Sequence, residues 1–383
     1  MSRLRPSVFV GLIVAFAPRP VSPSPASAAA APAKPFDELV READAARLAG
    51  RLDEAAAVYK AALKQRPGWP DGWWYLGTMA YDRDRPRECV AAFKSLLALK
   101  PDITAAWALR GLCAFQLGEY EAARGHLARA LSAGPLPDES MGRVVVYHRA
   151  LLAIRAGEFE GAILPLTQLL QTQERTPQLA DACGLVLLRR ALVPSEIPPA
   201  DRAEVRDVGE AYCAHLARRA DEAQRLFVEL IARHPQQRYL HYGYGMALAQ
   251  QGNAASLEQF QREIELFPDD LLARVELAFG LVARGRASEA LPPAEKAVAL
   301  APRLFVTRLA LGRALVETGD VEKGIEQLEL AEQLEPGSIE THWALASAYA
   351  RAGRAADAGR ARETASRLEA TRRAREGASP KEP

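Results

Sequence analysis

The 383-residue sequence predicts an all-α fold, an array of stacked helical hairpins. Two columns of residues and one compositional bias carry that prediction. Pro67, Pro101 and Pro135 stand 34 residues apart, and the beat returns at Pro235, Pro268, Pro302 and Pro336 with spacings of 33, 34 and 34. About midway between the prolines lie Gly50, Gly118, Gly157, Gly252, Gly285, Gly319 and Gly353. Hydrophobic residues make up 49% of the chain but aromatics only 7%, so alanine carries much of the apolar content, as closely packed helices require.

The unit follows from the spacing. A glycine ends the first helix by taking a left-handed conformation, and acidic residues such as Asp53-Glu54 and Glu119 then favour the start of the next helix. So short a turn makes the two helices antiparallel neighbours. The proline at the end of the unit cannot continue the second helix. Five residues after each glycine comes a small residue, Ala55, Ala123, Ala162, Ala290, Gly324 or Ala358, which lets the paired helices approach; Leu257 is the exception. A single hairpin cannot bury its apolar face alone, so the units stack.

Along the chain, the first segment reads as an address. Arg3 and Arg5 precede an apolar run from Val8 to Ala17 that Pro18 ends, about half the ~20 residues a membrane-spanning helix needs. With Ala26-Ser27-Ala28 as an A-x-A cleavage site, residues 1–28 are expected to be a secretory signal peptide and 29–35 a Pro/Ala-rich spacer. The protein is therefore expected to be exported, periplasmic or secreted, and its Ala- and Arg-rich usage suggests a GC-rich bacterium. Repeat units follow at 36–67, 70–103, 104–137 and 143–176, with extra residues around Leu136 to Met141. One helix-like segment without a clear partner, Leu179 to Val193, closes an N-terminal array over 36–193. The Pro-rich run Pro194-Ser195-Glu196-Ile197-Pro198-Pro199 makes a break over 194–203. Units at 204–237, 238–270, 271–304, 305–338 and 339–372 form a C-terminal array with a capping helix, and 373–383 are expected to be a disordered tail. Asp84 and the Arg218–Arg219 pair stand where the turn glycine is missing.

These columns resemble the tetratricopeptide repeat family. Trp73, Leu76, Gly77, Phe93 and Pro101 fall at its signature spacings; Trp107, Gly111, Ala114, Ala123, Ala130 and Pro135 repeat them, as do Leu311, Gly312, Leu315, Gly319, Ala331 and Pro336. The resemblance implies a right-handed superhelical solenoid of about nine tandem helix-turn-helix repeats, with the first helices lining a concave face that holds peptides or helices of partner proteins. On that face the register places Trp74, Tyr81 and Phe115, then Tyr147 with Leu151 and Ile154, then Tyr212. It continues with Tyr239, Tyr242 and Met246, Val275 and Phe279, and Trp343. Aromatic side chains in a groove give large contact area at small entropic cost, so this stripe is the expected partner-binding site. The alternative for each residue is internal packing. The family's carboxylate clamp of Lys, Asn and Arg is absent: the first units show Val40, Asp44, Trp74 and Thr78 instead.

The expected function is thus a non-enzymatic scaffold or adaptor that binds a partner peptide or helix. The alternatives are an envelope factor binding carbohydrate or glycolipid and a non-catalytic subunit of an exported enzyme complex. Forty-nine Lys and Arg against 48 Asp and Glu argue against nucleic-acid binding, which needs a net basic surface. No metal or cofactor is expected. The six histidines, His126, His148, His215, His234, His241 and His342, form no H-E-x-x-H, and no C-x-x-C exists. Gly243-Tyr244-Gly245 lacks the third glycine of a phosphate loop and lies in a repeat helix, and the cluster Arg372-Arg373-Ala374-Arg375 reads as the solvated end of a capping helix. The four cysteines fall inside repeat helices, Cys89 in the small-residue column, and are expected to be buried thiols; Cys89–Cys113 and Cys183–Cys213 are the pairs adjacent helices would bring together on oxidation.

Overall fold

The computed structural model describes residues 34–172 and 175–377, with no side-chain detail over 375–377. The expected leader, nearly all of the spacer and the end of the tail lie outside these residues. Among the described residues the chain forms nineteen α-helices and no strand. Four hairpins come first: α1 (Phe36–Leu48) with α2 (Leu52–Gln65), α3 (Pro70–Asp82) with α4 (Pro86–Leu99), α5 (Thr104–Gln116) with α6 (Tyr120–Ala133), and α7 (Glu139–Arg155) with α8 (Phe159–Thr172). A single helix, α9 (Pro177–Leu187), precedes a 3₁₀ turn at Pro194–Glu196. Five hairpins follow: α10 (Arg202–Leu216) with α11 (Ala220–Arg233), α12 (Leu240–Gln250) with α13 (Ser256–Leu266), and α14 (Leu271–Ala283) with α15 (Ala287–Leu300). The last two are α16 (Phe305–Thr318) with α17 (Val321–Leu334), and α18 (Ile339–Arg351) with α19 (Ala355–Gly377). Every helix packs on its chain neighbour from α1 to α19, which makes one all-α solenoid.

The turns show why so varied a sequence keeps one geometry. At each turn glycine φ is positive, from +69° at Gly252 to +98° at Gly319, and Asp84 and Arg218 adopt the same conformation at φ +53° and +58°. At most turns the residue after it donates its N–H to a carbonyl five residues back, as from Arg51 to Ala46, Glu119 to Ala114 and Arg219 to Ala214. That bond satisfies a carbonyl left over at the helix end, which offsets the cost of a left-handed Asp or Arg. The small column is buried throughout: Ala55, Ala123, Ala162 and Ala290 are 0% exposed. The extra residues near Leu136 are taken up by a loop and by α7, which at 17 residues is longer than the other first helices.

Two boundaries and one pairing differ from the sequence reading. The segment expected to be helical from Leu179 to Val193 stops at Leu187, because Arg189 turns left-handed at φ +51° and Arg190 N–H bonds back to the Leu185 carbonyl. This is the ordinary repeat turn, and Arg189-Arg190 is the same dibasic stand-in as Arg218-Arg219. The helix also has a partner. Gly184 lies against the Val205 carbonyl and Gly209 against the Ala180 carbonyl, so α9 and α10 run antiparallel in backbone contact. Thus α10 closes a hairpin with α9 and opens another with α11. Finally, α19 continues to Gly377, so the stretch from 373 expected as tail begins as helix; no breaker precedes Gly377, and Arg373 pairs with Glu369 one turn back.

Candidate functional site

The shared helix divides the first-helix face. Short turns force successive helices to alternate in direction, so α1, α3, α5, α7 and α9 run one way. The first helices after the break, α10, α12, α14, α16 and α18, run the other. The aromatic stripe is therefore two stripes that meet at the α9–α10 pair.

At that junction the stripe is core. Leu151 and Ile154 on α7 and Tyr212 on α10 are buried, at 3%, 0% and 7% exposure, in one apolar cluster with Cys183 and Val193. Val275 on α14 is buried as well. These four stand behind the groove wall and offer a ligand no surface. For Leu151, Ile154 and Tyr212 the reason is the extra pairing: the face that α9 and α10 would show to a ligand is spent on each other. Burial pushes the Tyr147, Tyr212 and Tyr242 phenols above their ordinary value. The Tyr212 ring stacks on His215 at 5.6 Å, and burial drives that imidazole down to about 4.

Eight stripe residues are half-buried: Trp74, Tyr81, Phe115 and Tyr147 before the break, and Tyr239, Tyr242, Met246 and Phe279 after it. Several are held by specific contacts. Trp74 meets Phe93 edge-on at 5.8 Å, Phe115 lies 4.8 Å from the His148 ring, and the Tyr147 hydroxyl donates to the Gln178 carbonyl at 3.2 Å. Tyr239 is left-handed at φ +72°, and the Glu263 carboxylate of α13 accepts its N–H at 2.6 Å and that of Tyr242 at 3.1 Å. Glu263 thus caps α12 from the neighbouring helix.

Only Trp343 among the thirteen is well exposed, at 42%. Its indole N–H donates to Glu369 at 2.9 Å, which fixes the ring beside a cavity of 350 Å³ between α16 and α18. Arg313, Val316, Glu317, Glu340 and Ser347 also line this cavity. The Arg313 guanidinium lies 5.5 Å from the Phe279 ring centroid, and Arg351 pairs with Glu317 at 2.7 Å. Sequence reasoning missed Arg313 and Ser347. Their signal was present: each lies six residues before a turn glycine, the column that holds Met246 and Phe279, and a search for aromatics passed over its polar members.

A larger cleft of 730 Å³ opens on the second-helix side, lined by Leu257, Arg274, Arg284 and Glu289 among others. It lies where α13 begins late, at Ser256, and where Leu257 breaks the small column. Among the described residues no group of three His, Cys, Asp or Glu is placed to hold a metal ion, and no helix is long and apolar enough to cross a membrane. Cys89 and Cys113 are joined as a disulfide between α4 and α5, contrary to the expectation of free thiols; Cys183 and Cys213 are unbridged and buried.

Residues 40–88, 76–136 and 217–256 match the tetratricopeptide repeat family. Over these segments the chain carries tetratricopeptide repeats. No curated protein matches it. Solved structures that resemble the tetratricopeptide array include MamA 41-end from Desulfovibrio magneticus RS-1, 27% identical over 40% of this chain and 86% of that one, with a TM-score of 0.35. MamA of MSR-1 is 22% identical over 44% of this chain and 98% of that one, with a TM-score of 0.37. YrrB, described as a TPR protein with an unusual peptide-binding site, is 16% identical over 41% and 82%, with a TM-score of 0.36. The matched tetratricopeptide segments lie on both sides of the break.

Proposed function

We propose that the protein is a non-enzymatic scaffold that binds a partner peptide or helix along the first helices of its C-terminal tetratricopeptide array. The observation that carries this reading is Trp343, an exposed aromatic ring fixed by Glu369 at the edge of a 350 Å³ cavity. A preordered aromatic anchor beside a cavity is the usual core of a binding hot spot. Apolar Met246 and Phe279 on α12 and α14, followed by charged Arg313 and the Arg351–Glu317 pair on α16 and α18, suit an amphipathic segment of the helix- or peptide-in-groove kind. Export through the N-terminal segment belongs to the same proposal and would set the compartment in which the partner is met.

The test begins with crosslinking in the native compartment to identify the partner, followed by binding measurements on Trp343→Ala and Arg313→Glu. The expected result is a loss of affinity of about tenfold or more in each, with the thermal midpoint unchanged. Unchanged partner affinity in both variants would remove the C-terminal groove as the site. Capture of glycan or glycolipid alone would move the function to carbohydrate handling, for which an exposed tryptophan ring is also suited.

A further inference from the structure

We propose that Cys183 and Cys213 are a second disulfide-forming pair, one that staples the helix shared by the two arrays. Their sulfur atoms lie 2.6 Å apart, well inside the ~3.5 Å contact distance of non-bonded heavy atoms. Closing the bond to its ordinary length of ~2.05 Å requires a shift of only about 0.5 Å. The backbones permit it because Gly184 and Gly209 bring α9 and α10 into direct contact beside the pair. Both thiols are sealed in the core, at 0% and 1% exposure, and the nearest other partner is the Leu179 carbonyl, 3.6 Å from the Cys213 sulfur. The same chain already joins Cys89 to Cys113 between neighbouring helices.

The position gives the bond a consequence. Helix α10 belongs to two hairpins, and the chain between α9 and α10 is a long irregular connection rather than a tight repeat turn. A covalent link across this pair shortens the loop available to the unfolded chain and ties the N-terminal array to the C-terminal one. The oxidant is a small-molecule or protein disulfide. One Cys thiolate attacks it, breaking its S–S bond and releasing one thiol. The second Cys then displaces the other half, so the Cys183–Cys213 bond forms, two thiols leave and the two cysteine protons end on them. Because the pair is buried, exchange waits on local opening of α9 from α10, and oxidation is slow in the fully folded protein.

The experiment uses the full-length chain, incubated with oxidised glutathione in urea near the unfolding midpoint and then returned to buffer. The product is alkylated in denaturant without reductant, digested and analysed by mass spectrometry. The expected result is a crosslinked peptide pair containing Cys183 and Cys213 beside the Cys89–Cys113 pair. In the oxidised protein, reductant should lower the thermal midpoint more in wild type than in Cys183→Ser or Cys213→Ser. The proposal is overturned if Cys183 and Cys213 both carry the alkyl group, or glutathione, after this treatment. The peptide readout needs only the wild-type chain, so it decides the question even where neither serine variant folds.

Discussion

The Tyr120 hydroxyl donates a 3.1 Å hydrogen bond to the Glu196 carboxylate, 76 residues further along the chain. Arg155 pairs with the same carboxylate at 3.1 Å, and Glu196 accepts the Val193 N–H at 3.0 Å. The Pro-rich break is therefore no free linker. Val193 and Ile197, at 1% and 3% exposure, pack into the core while Glu196 ties the segment back to the start of α6 and the end of α7.

Removing that tie should release the segment. Glu196→Ala leaves the Val193 N–H and the Tyr120 hydroxyl without their acceptor, and about 1–3 kcal/mol of stability should be lost. Urea denaturation gives the magnitude, and limited proteolysis locates it: new cleavage should appear between residues 190 and 202.

The α9–α10 contact should tolerate no side chain. A Cβ at Gly184 would meet the Val205 carbonyl oxygen at 1.9 Å, and one at Gly209 the Ala180 oxygen at 1.7 Å. Backbone cannot yield as a side chain does, so Gly184→Ala and Gly209→Ala should each cost about 3 kcal/mol or more. Gly125, inside α6 with nothing within 4 Å of its Cβ position, is the control. There alanine should raise stability by about 0.5–1 kcal/mol. Equilibrium unfolding of the three variants compares them directly.

His215 should make the fold acid-sensitive. Burial holds its pKa down to about 4 from 6.5, and its Nδ1 has no partner in the core. The unfolded chain then takes up a proton that the folded chain refuses. The stabilisation is complete above pH 6.5 and is lost as pH falls towards 4, by up to about 3 kcal/mol. In His215→Phe, which keeps a ring against Tyr212, this part of the pH dependence should vanish from the melting profile.

Glu263 should act with the opposite sign. Burial raises its pKa from 4.5 to about 7, although two backbone N–H groups favour the charged form. Its stabilisation is therefore complete below pH 4.5 and is lost as pH rises through 7, again by up to about 3 kcal/mol. Melting temperatures of wild type and Glu263→Gln between pH 4.5 and 8 should converge or cross as pH rises: the fall due to Glu263 is confined to wild type, while the rise up to pH 6.5 due to His215 stays in both.

Much of the fold could be read from local chemistry. A glycine at the helix end, a proline at the end of the unit and a buried alanine between them each act within one hairpin, so Gly118, Pro135 and Ala123 announce their unit whatever surrounds it. Asp84 and Arg218 were legible only through the period, since neither residue prefers the left-handed turn it occupies. Arg189 escaped because the second helix of its hairpin, α10, begins only at Arg202, beyond the Pro-rich segment, and the rhythm that exposed the others is missing there.

The candidate site was less legible. The register placed Trp343 and Phe279 on the ligand side of their helices, and it placed Leu151, Ile154, Tyr212 and Val275 there by the same rule. Spacing states which way a side chain leaves its helix, but not what stands opposite. By itself the sequence determined the hairpin, its period and the antiparallel pairing inside each unit, because these depend on residues a few positions apart. Tertiary structure alone decided that α10 serves two hairpins, that Cys183 meets Cys213 and that Trp343 stays in the open. The first two depend on how closely two distant backbones approach, a distance set by Gly184, Gly209 and the core around them acting together; the third depends on Glu369 of α19, which holds the Trp343 ring at the edge of the cavity between α16 and α18.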